Sequence, residues 1–278
     1  AGTVTEGAYL QLVFFVASTL LMMMLNNTNS LIRIYSRMVS CSFVAMTCAA
    51  TFLFSSLESC ATGMCFILFY LSLLRSYQDK RAPGIAFYSF ACLGIASLFF
   101  VQILYFVPFL WILMASNMMA LTHRMFWATV LGLVMPYWFA VGYYVVTNQF
   151  DAFIDHFAEL AQFEPLLQYE ALDIHRIATF GLVVLLAVIG IIHYMRNSYL
   201  DKIRTRMIFE MFITVDILSF VFIILQPQHF DNLLPIIIVN TSCLFAHYVA
   251  LTRTWLTNVT FIVMCLATLG LTIFNLMP

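Results

Sequence analysis

Long apolar runs recur along the whole chain, with only short polar connections between them. These runs lack the alternation of polar and apolar residues that marks the strands of a membrane barrel, so they favour helices. Runs of about 17 residues or more are long enough to cross the hydrocarbon core of a bilayer. The pattern therefore predicts an all-α polytopic transmembrane helix bundle with ten spans, near residues 9–25, 38–54, 61–74, 84–100, 104–119, 125–147, 177–195, 207–225, 233–250 and 255–276.

The boundary between the fourth and fifth predicted spans is the faintest in this pattern. Residues 84–119 are almost continuously apolar, and the amide side chain of Gln102 marks the turn that we expect next to Val101. The direction of every later span depends on a break at this point.

One long connection, residues 148–176, separates two blocks of spans within a single transmembrane domain, at 1–147 and 177–278. Its apolar residues follow helical spacing and its polar residues fill the other side, which is typical of a helix lying in the membrane interface. We expect Pro165 to end this helix. The apolar positions are Phe150, Phe153, Ile154, Phe157 and Leu160, and the polar positions are Asp151, Asp155, His156 and Glu159. The segment is either a plain connector or a lid over a site at the extracytoplasmic face.

Composition supports lipid as the main surrounding of the chain. Hydrophobic residues make up 63% and charged residues 9% of the sequence, whereas soluble domains carry about a quarter charged residues. The net charge of -1 and the absence of basic clusters interleaved with aromatic residues argue against nucleic acid as a partner. The seven cysteines form no Cys-x-x-Cys pair, so neither a zinc site nor a disulfide framework is indicated.

The distribution of positive charge predicts how the helices are oriented. Lys and Arg beside membrane spans are retained in the cytoplasm, and eleven of the twelve lie on alternate connections; Arg176 is the exception. Both ends of the chain are therefore expected outside the cytoplasm. Because the chain begins Ala1-Gly2-Thr3 without Met, we expect a preceding helix or a removed signal peptide. The eleven residues are Arg33, Arg37, Arg75, Lys80, Arg81, Arg124, Arg196, Lys202, Arg204, Arg206 and Arg253.

Two acidic residues fall inside predicted spans, where an unpaired charge is costly. Glu210 follows Arg206 by four residues, so an ion pair along the helix accounts for it. Asp216 lies near the expected bilayer centre and needs a partner. The candidates on the next span are Asn240, Thr241 and Ser242, with His247 closer to the cytoplasm. Asp216 either forms a structural hydrogen bond between helices or takes part in a proton or cation relay.

A second group of polar residues lies at the expected extracytoplasmic face. Arg176 lies on the side where the other basic residues are absent. Its guanidinium N–H groups could bind a phosphate, with His175 and His229 nearby. The alternative is an interfacial arginine paired with Asp173, three residues earlier.

Several short motifs resemble those of a known protein family. Residues 94–100, Tyr105-Phe106-Val107-Pro108, Gly132-x-x-x-Pro136-Tyr137 and Pro227-x-His229-Phe230 resemble an uncharacterised family of multi-pass inner-membrane proteins from Bacteroides-type bacteria. The same pattern is similar to the membrane part of C-type glycosyltransferases.

The second resemblance implies transfer of a sugar from a polyprenol-phosphate donor at the extracytoplasmic face. Glu6, Asp151 or Asp155 would then supply a carboxylate, as general base or as ligand to a divalent cation. Arg176 and His229 would stabilise the departing lipid phosphate, and grooves rich in Phe and Met would hold the prenyl tail.

Two other classes of function remain open from the residues. A secondary transporter would depend on Asp216. A non-catalytic subunit of an envelope complex would show no activity alone and would bind an integral-membrane or envelope protein through residues 148–176 or its lipid-facing helices.

Overall fold

The computed structural model describes residues 2–161, 172–252 and 254–276, with side chains from residue 9 onward. Within these ranges the secondary structure is helical, with no strand, as the apolar pattern predicts. The α-helices are α1 Gly2–Asn29, α2 Met38–Ala49, α3 Leu57–Leu73, α4 Pro83–Phe99, α5 Val107–Ser116, α6 His123–Val146, α7 Phe150–Ala161, α8 Ile174–Asn197, α9 Ile203–Leu225, α10 Phe230–Leu251 and α11 Trp255–Leu276.

Within the described residues, seven helical segments are long and apolar enough to cross a membrane. Each of the ten predicted spans overlaps a helix, but three of the overlapping segments are only 10–17 residues long: Met38–Ala49, Pro83–Phe99 and Val101–Ser116. The break expected near Val101 is confirmed, because α4 ends at Phe99 and the 3-10 helix Val101–Phe106 precedes α5.

The chain divides into two compact units, Ala1–Gly63 with Leu167–Pro278, and Met64–Leu166. In the first unit α10 is the central helix. It packs against α2, α8 and α9, while α1 and α11 pack against α2. A Cβ atom added at Gly190 of α8 would lie 2.9 Å from Leu244 of α10, so the glycine permits this close approach. Most of α10 is buried, and most of α11 is exposed.

In the second unit, α4 and α6 form the closest pair of helices. A Cβ atom at Gly132 would lie 2.3 Å from the carbonyl oxygen of Phe87, and one at Gly94 would lie 2.6 Å from the carbonyl oxygen of Leu133. The Tyr137 hydroxyl also donates a hydrogen bond to Ser97 Oγ at 2.7 Å. Two of the four motifs on which the family resemblance rests therefore contribute residues to this helix contact.

Helix α7 packs within the same unit. The ring of Phe157 lies 5.0 Å from that of Tyr137, and His156 Nε2 lies 3.0 Å from the Ser97 carbonyl oxygen. The amphipathic helix is thus confirmed, but the placement of His156 on its polar side was wrong, because the ring is half-buried and contacts the backbone of α4. The predicted end at Pro165 lies outside the described residues.

Candidate functional site around helix alpha 10

Polar side chains meet helix α10 at its start, at its middle and near its end. We call the group near its end the Asp201 cluster (Arg33, His193, Asp201 and His247). The group at its start is the Arg176 cluster (Asp173, Arg176 and Asp231). Between them, Asp216 of α9 reaches Thr241 of α10.

The Asp201 cluster is built on a buried carboxylate. Asp201 lies in the short connection between α8 and α9, where its N–H donates to the Ser198 carbonyl oxygen and its side chain is fully buried. His247 Nε2 lies 2.9 Å from Asp201 Oδ2. Arg33 Nε lies 2.9 Å from Oδ1, as an ion pair that is not aligned as a hydrogen bond. A buried carboxylate is costly unless it is paired, and both oxygens here face a partner.

Two histidine rings extend this cluster into α8. The rings of His193 and His247 lie 5.6 Å apart, and His193 Nδ1 lies 3.1 Å from the side-chain amide of Asn197. Within the described part of the chain, His193 Nε2 and His247 Nδ1 have no hydrogen-bond partner. Since a ring nitrogen can accept or donate a proton, this group can bind and release protons.

Asp216 is completely buried in the middle of α9. Thr241 Oγ1 donates to Asp216 Oδ2 at 3.1 Å, so Thr241 is the partner among the three predicted candidates; the Ser242 hydroxyl donates to Val239 instead. Asp216 Oδ1 has no hydrogen-bond partner among the described residues. Asn240 is buried beside Thr241. The predicted ion pair between Arg206 and Glu210 stays a prediction.

The Arg176 cluster pairs the predicted phosphate-binding arginine with a carboxylate. Arg176 Nε and Nη2 donate to the two carboxylate oxygens of Asp231, each at 2.9 Å. Asp173, the partner expected from sequence, is farther away at 3.8 Å. The guanidinium group also lies over the ring of Phe52, 5.5 Å from its centroid. Asp231 therefore occupies one edge of the guanidinium group, the one formed by Nε and Nη2.

The two predicted histidines beside Arg176 lie in different surroundings. His175 Nδ1 lies 3.1 Å from Asn275 Oδ1 of α11, and the centroid of its ring lies 4.4 Å from that of Phe274. His229 ends the 3-10 helix Pro227–His229, with its ring 6.1 Å from that of Phe222. His175 thus contributes to the contact between α8 and α11.

The three predicted carboxylates lie on α7 and α1, whereas Arg176 lies on α8. Asp151 and Asp155 are exposed on α7, and neither forms an ion pair within the described residues. Glu6 lies in α1, and its side chain is outside the described part.

Among the described residues, no group of three or more His, Cys, Asp or Glu side chains could hold a metal ion. No family model matches the chain, and neither the curated proteins nor the solved structures gave a match. The resemblances noted from sequence therefore stay predictions.

Sequence reasoning missed Asp201, Arg33 and His193. Asp201 carried a weak signal, since it is an acid within the most basic connection of the chain. The pairing with Arg33 joins residues 168 positions apart, and no local pattern marks it.

Proposed function

We propose that this chain is a multi-pass membrane protein that passes protons along helix α10, with Asp216 as its central proton-binding group. Seven long apolar helices support the membrane location. The proposal is carried by the Asp216 carboxyl group, which is fully buried with one bonded oxygen and one without a partner among the described residues. An uncompensated charge here costs several kcal/mol, and a bound proton removes that cost.

Polar residues at other depths of α10 supply a second proton-binding position, at His247, and a hydrogen-bonding position, at Asn232. His247 lies about 9 Å beyond Thr241 along the helix and is paired with Asp201. In the other direction, Asn232 lies about 14 Å before Thr241 and accepts a hydrogen bond from Ser59 Oγ at 3.0 Å. These separations are longer than a hydrogen bond, so a proton would pass between the positions through bound water.

The test is proton uptake by liposomes that contain the purified chain and a pH-sensitive dye, driven by a potassium gradient with valinomycin. We expect uptake above that of empty liposomes. Asp216→Asn should abolish it, because the amide keeps the shape of the side chain but cannot carry the proton. Asp173→Asn, at an exposed position, is the control and should retain uptake. Equal uptake by Asp216→Asn and the unsubstituted chain, with both proteins monodisperse, would contradict the proposal.

A second candidate is the glycosyltransferase-like activity, which a cleft between α2 and α11 favours. Two adjoining cavities of about 230 and 400 Å³ share Cys41, Ala45 and Thr268, and their lining is mainly apolar. Thr272 at one end of the cleft lies one helical turn from Asn275, the partner of His175. An apolar cleft that leads towards His175 and Arg176 suits a prenyl tail joined to a phosphate.

This activity is tested by sugar transfer from a polyprenol-phosphate donor in liposomes. Ala45→Phe should block the cleft and Arg176→Ala should remove the cation, so both should lower transfer. Lys80→Ala, at an exposed position of a connection, should leave it unchanged. Transfer by Arg176→Ala at the level of the unsubstituted chain would remove Arg176 from the site.

A further inference from the structure

A separate cavity of about 520 Å³ lies where α1 ends, beside the connection to α2 and the start of α9. It is on the side that the charge distribution predicts to be cytoplasmic. Eight of its ten lining residues carry polar side chains, and none is acidic. The lining residues are Asn26, Asn27, Ser30, Ile32, Arg33, Ile34, Tyr35, Ser36, Lys202 and Thr205.

Two cations face this cavity. Lys202 is exposed and forms no ion pair within the described residues. Arg33 contacts Asp201 through Nε and donates to the Leu200 carbonyl oxygen through Nη1. These contacts leave Nη2 of Arg33 available, and about a third of the side chain is exposed. A cavity with two cations and no acidic lining residue favours an anion.

A buried amide at this cavity needs a hydrogen-bond donor, in addition to the anion that the two cations favour. Asn26 is 6% exposed, and its Nδ2 donates to the Ser36 carbonyl oxygen at 2.9 Å, which fixes the orientation of the amide. Its Oδ1 is buried and has no hydrogen-bond partner in the described chain. A buried acceptor without a donor costs about 1–3 kcal/mol. A ligand that supplies a hydroxyl or ammonium donor would recover this cost.

We propose that this cavity binds a phosphate ester that carries a neighbouring hydroxyl or amino group. The phosphate would contact Lys202 and the free Nη2 group of Arg33, and the donor would bond to Asn26 Oδ1. The same chemistry occurs in a lipid headgroup and in a soluble phosphate ester. The proposal does not depend on proton transfer through Asp216.

The experiment uses the full chain in detergent with two probes, phosphatidylglycerol followed by native mass spectrometry and glycerol 3-phosphate followed by calorimetry. Both probes carry a phosphate next to hydroxyl groups. If the chain retains phosphatidylglycerol but does not bind glycerol 3-phosphate, the cavity is a site for a lipid headgroup. If the chain binds glycerol 3-phosphate, the cavity is a site for soluble phosphate esters.

Matched variants decide whether binding occurs at this cavity. Lys202→Gln should weaken binding about fivefold, since it removes one cation near the ligand. Asn26→Asp should weaken it more than about tenfold, because a carboxylate would repel the phosphate. Lys80→Gln, exposed and outside the cavity, should bind as the unsubstituted chain does. If neither probe binds, or if Lys202→Gln and Asn26→Asp both bind normally, the proposal is wrong.

Discussion

At the scale of single residues, Asp201 is a buried carboxylate whose partners come from other segments of the chain. Asp201 faces both Arg33 and His247, and the two nitrogen–oxygen distances are 2.9 Å. Removing one member of such a buried pair leaves an uncompensated charge, which costs more than the pair contributes.

Asp201→Ala is therefore expected to lower the free energy of unfolding by about 3–5 kcal/mol. Thermal unfolding in detergent, followed by a thiol-reactive dye that reaches the buried Cys65 and Cys243 only on unfolding, measures the change. Asp173→Ala is the control, because this side chain is 75% exposed, and we expect less than about 0.5 kcal/mol. Equal midpoints for the two variants would show that the Asp201 cluster contributes no stability.

The candidate site was only partly predictable from the sequence, because its residues have partners on other segments of the chain. Thr241 was among the expected partners of Asp216 because antiparallel neighbouring spans bring residues of equal depth together. For Arg176 the sequence offered Asp173 at helical spacing, but the bidentate partner is Asp231, 55 positions away. Partners within one helix follow from spacing, whereas partners between helices depend on a packing arrangement that spacing does not encode.

At the scale of elements, the apolar pattern predicted the helices but not their lengths. The pattern measures hydrophobicity, and it cannot distinguish an α-helix from the 3-10 segments that follow α2 and precede α5. Glycines mark close helix contacts that the apolar pattern does not reveal. Gly94 and Gly132 lie where α4 and α6 approach most closely.

Gly132→Ala should separate these two helices, because the added Cβ atom would lie 2.3 Å from the carbonyl oxygen of Phe87. We expect a loss of about 1–3 kcal/mol, the usual cost of overpacking. Gly142→Ala lies on the same helix with nothing within 4 Å of the new atom, and should be neutral or stabilising by up to about 1 kcal/mol. Thermal unfolding in detergent compares the two, and equal loss at both positions would contradict the packing explanation.

At the scale of the whole molecule, the three short helices decide whether ten spans are possible. Alone, α2 is about 18 Å long, but the adjoining 3-10 helix Thr51–Ser55 adds about 10 Å. Similarly, α4 measures about 26 Å, and Val101–Ser116 measures about 27 Å. The summed helical length of each segment therefore approaches the thickness of the hydrocarbon core, about 30 Å. The predicted placement of the basic connections on alternate sides of a membrane requires segments of this length.

If α2 and its 3-10 extension cross the membrane, α7 lies outside the cytoplasm and the connection after α8 lies inside. A membrane-impermeant maleimide added to intact cells should then label Ala161→Cys but not Tyr199→Cys, with the exposed Cys41 and Cys265 replaced by serine. Both positions are exposed, so the maleimide should label both in permeabilised cells. The parent protein without an added cysteine gives the background labelling. Labelling of Tyr199→Cys in intact cells would place the basic connection outside. The phosphate ester would then have to reach its cavity from the extracytoplasmic side.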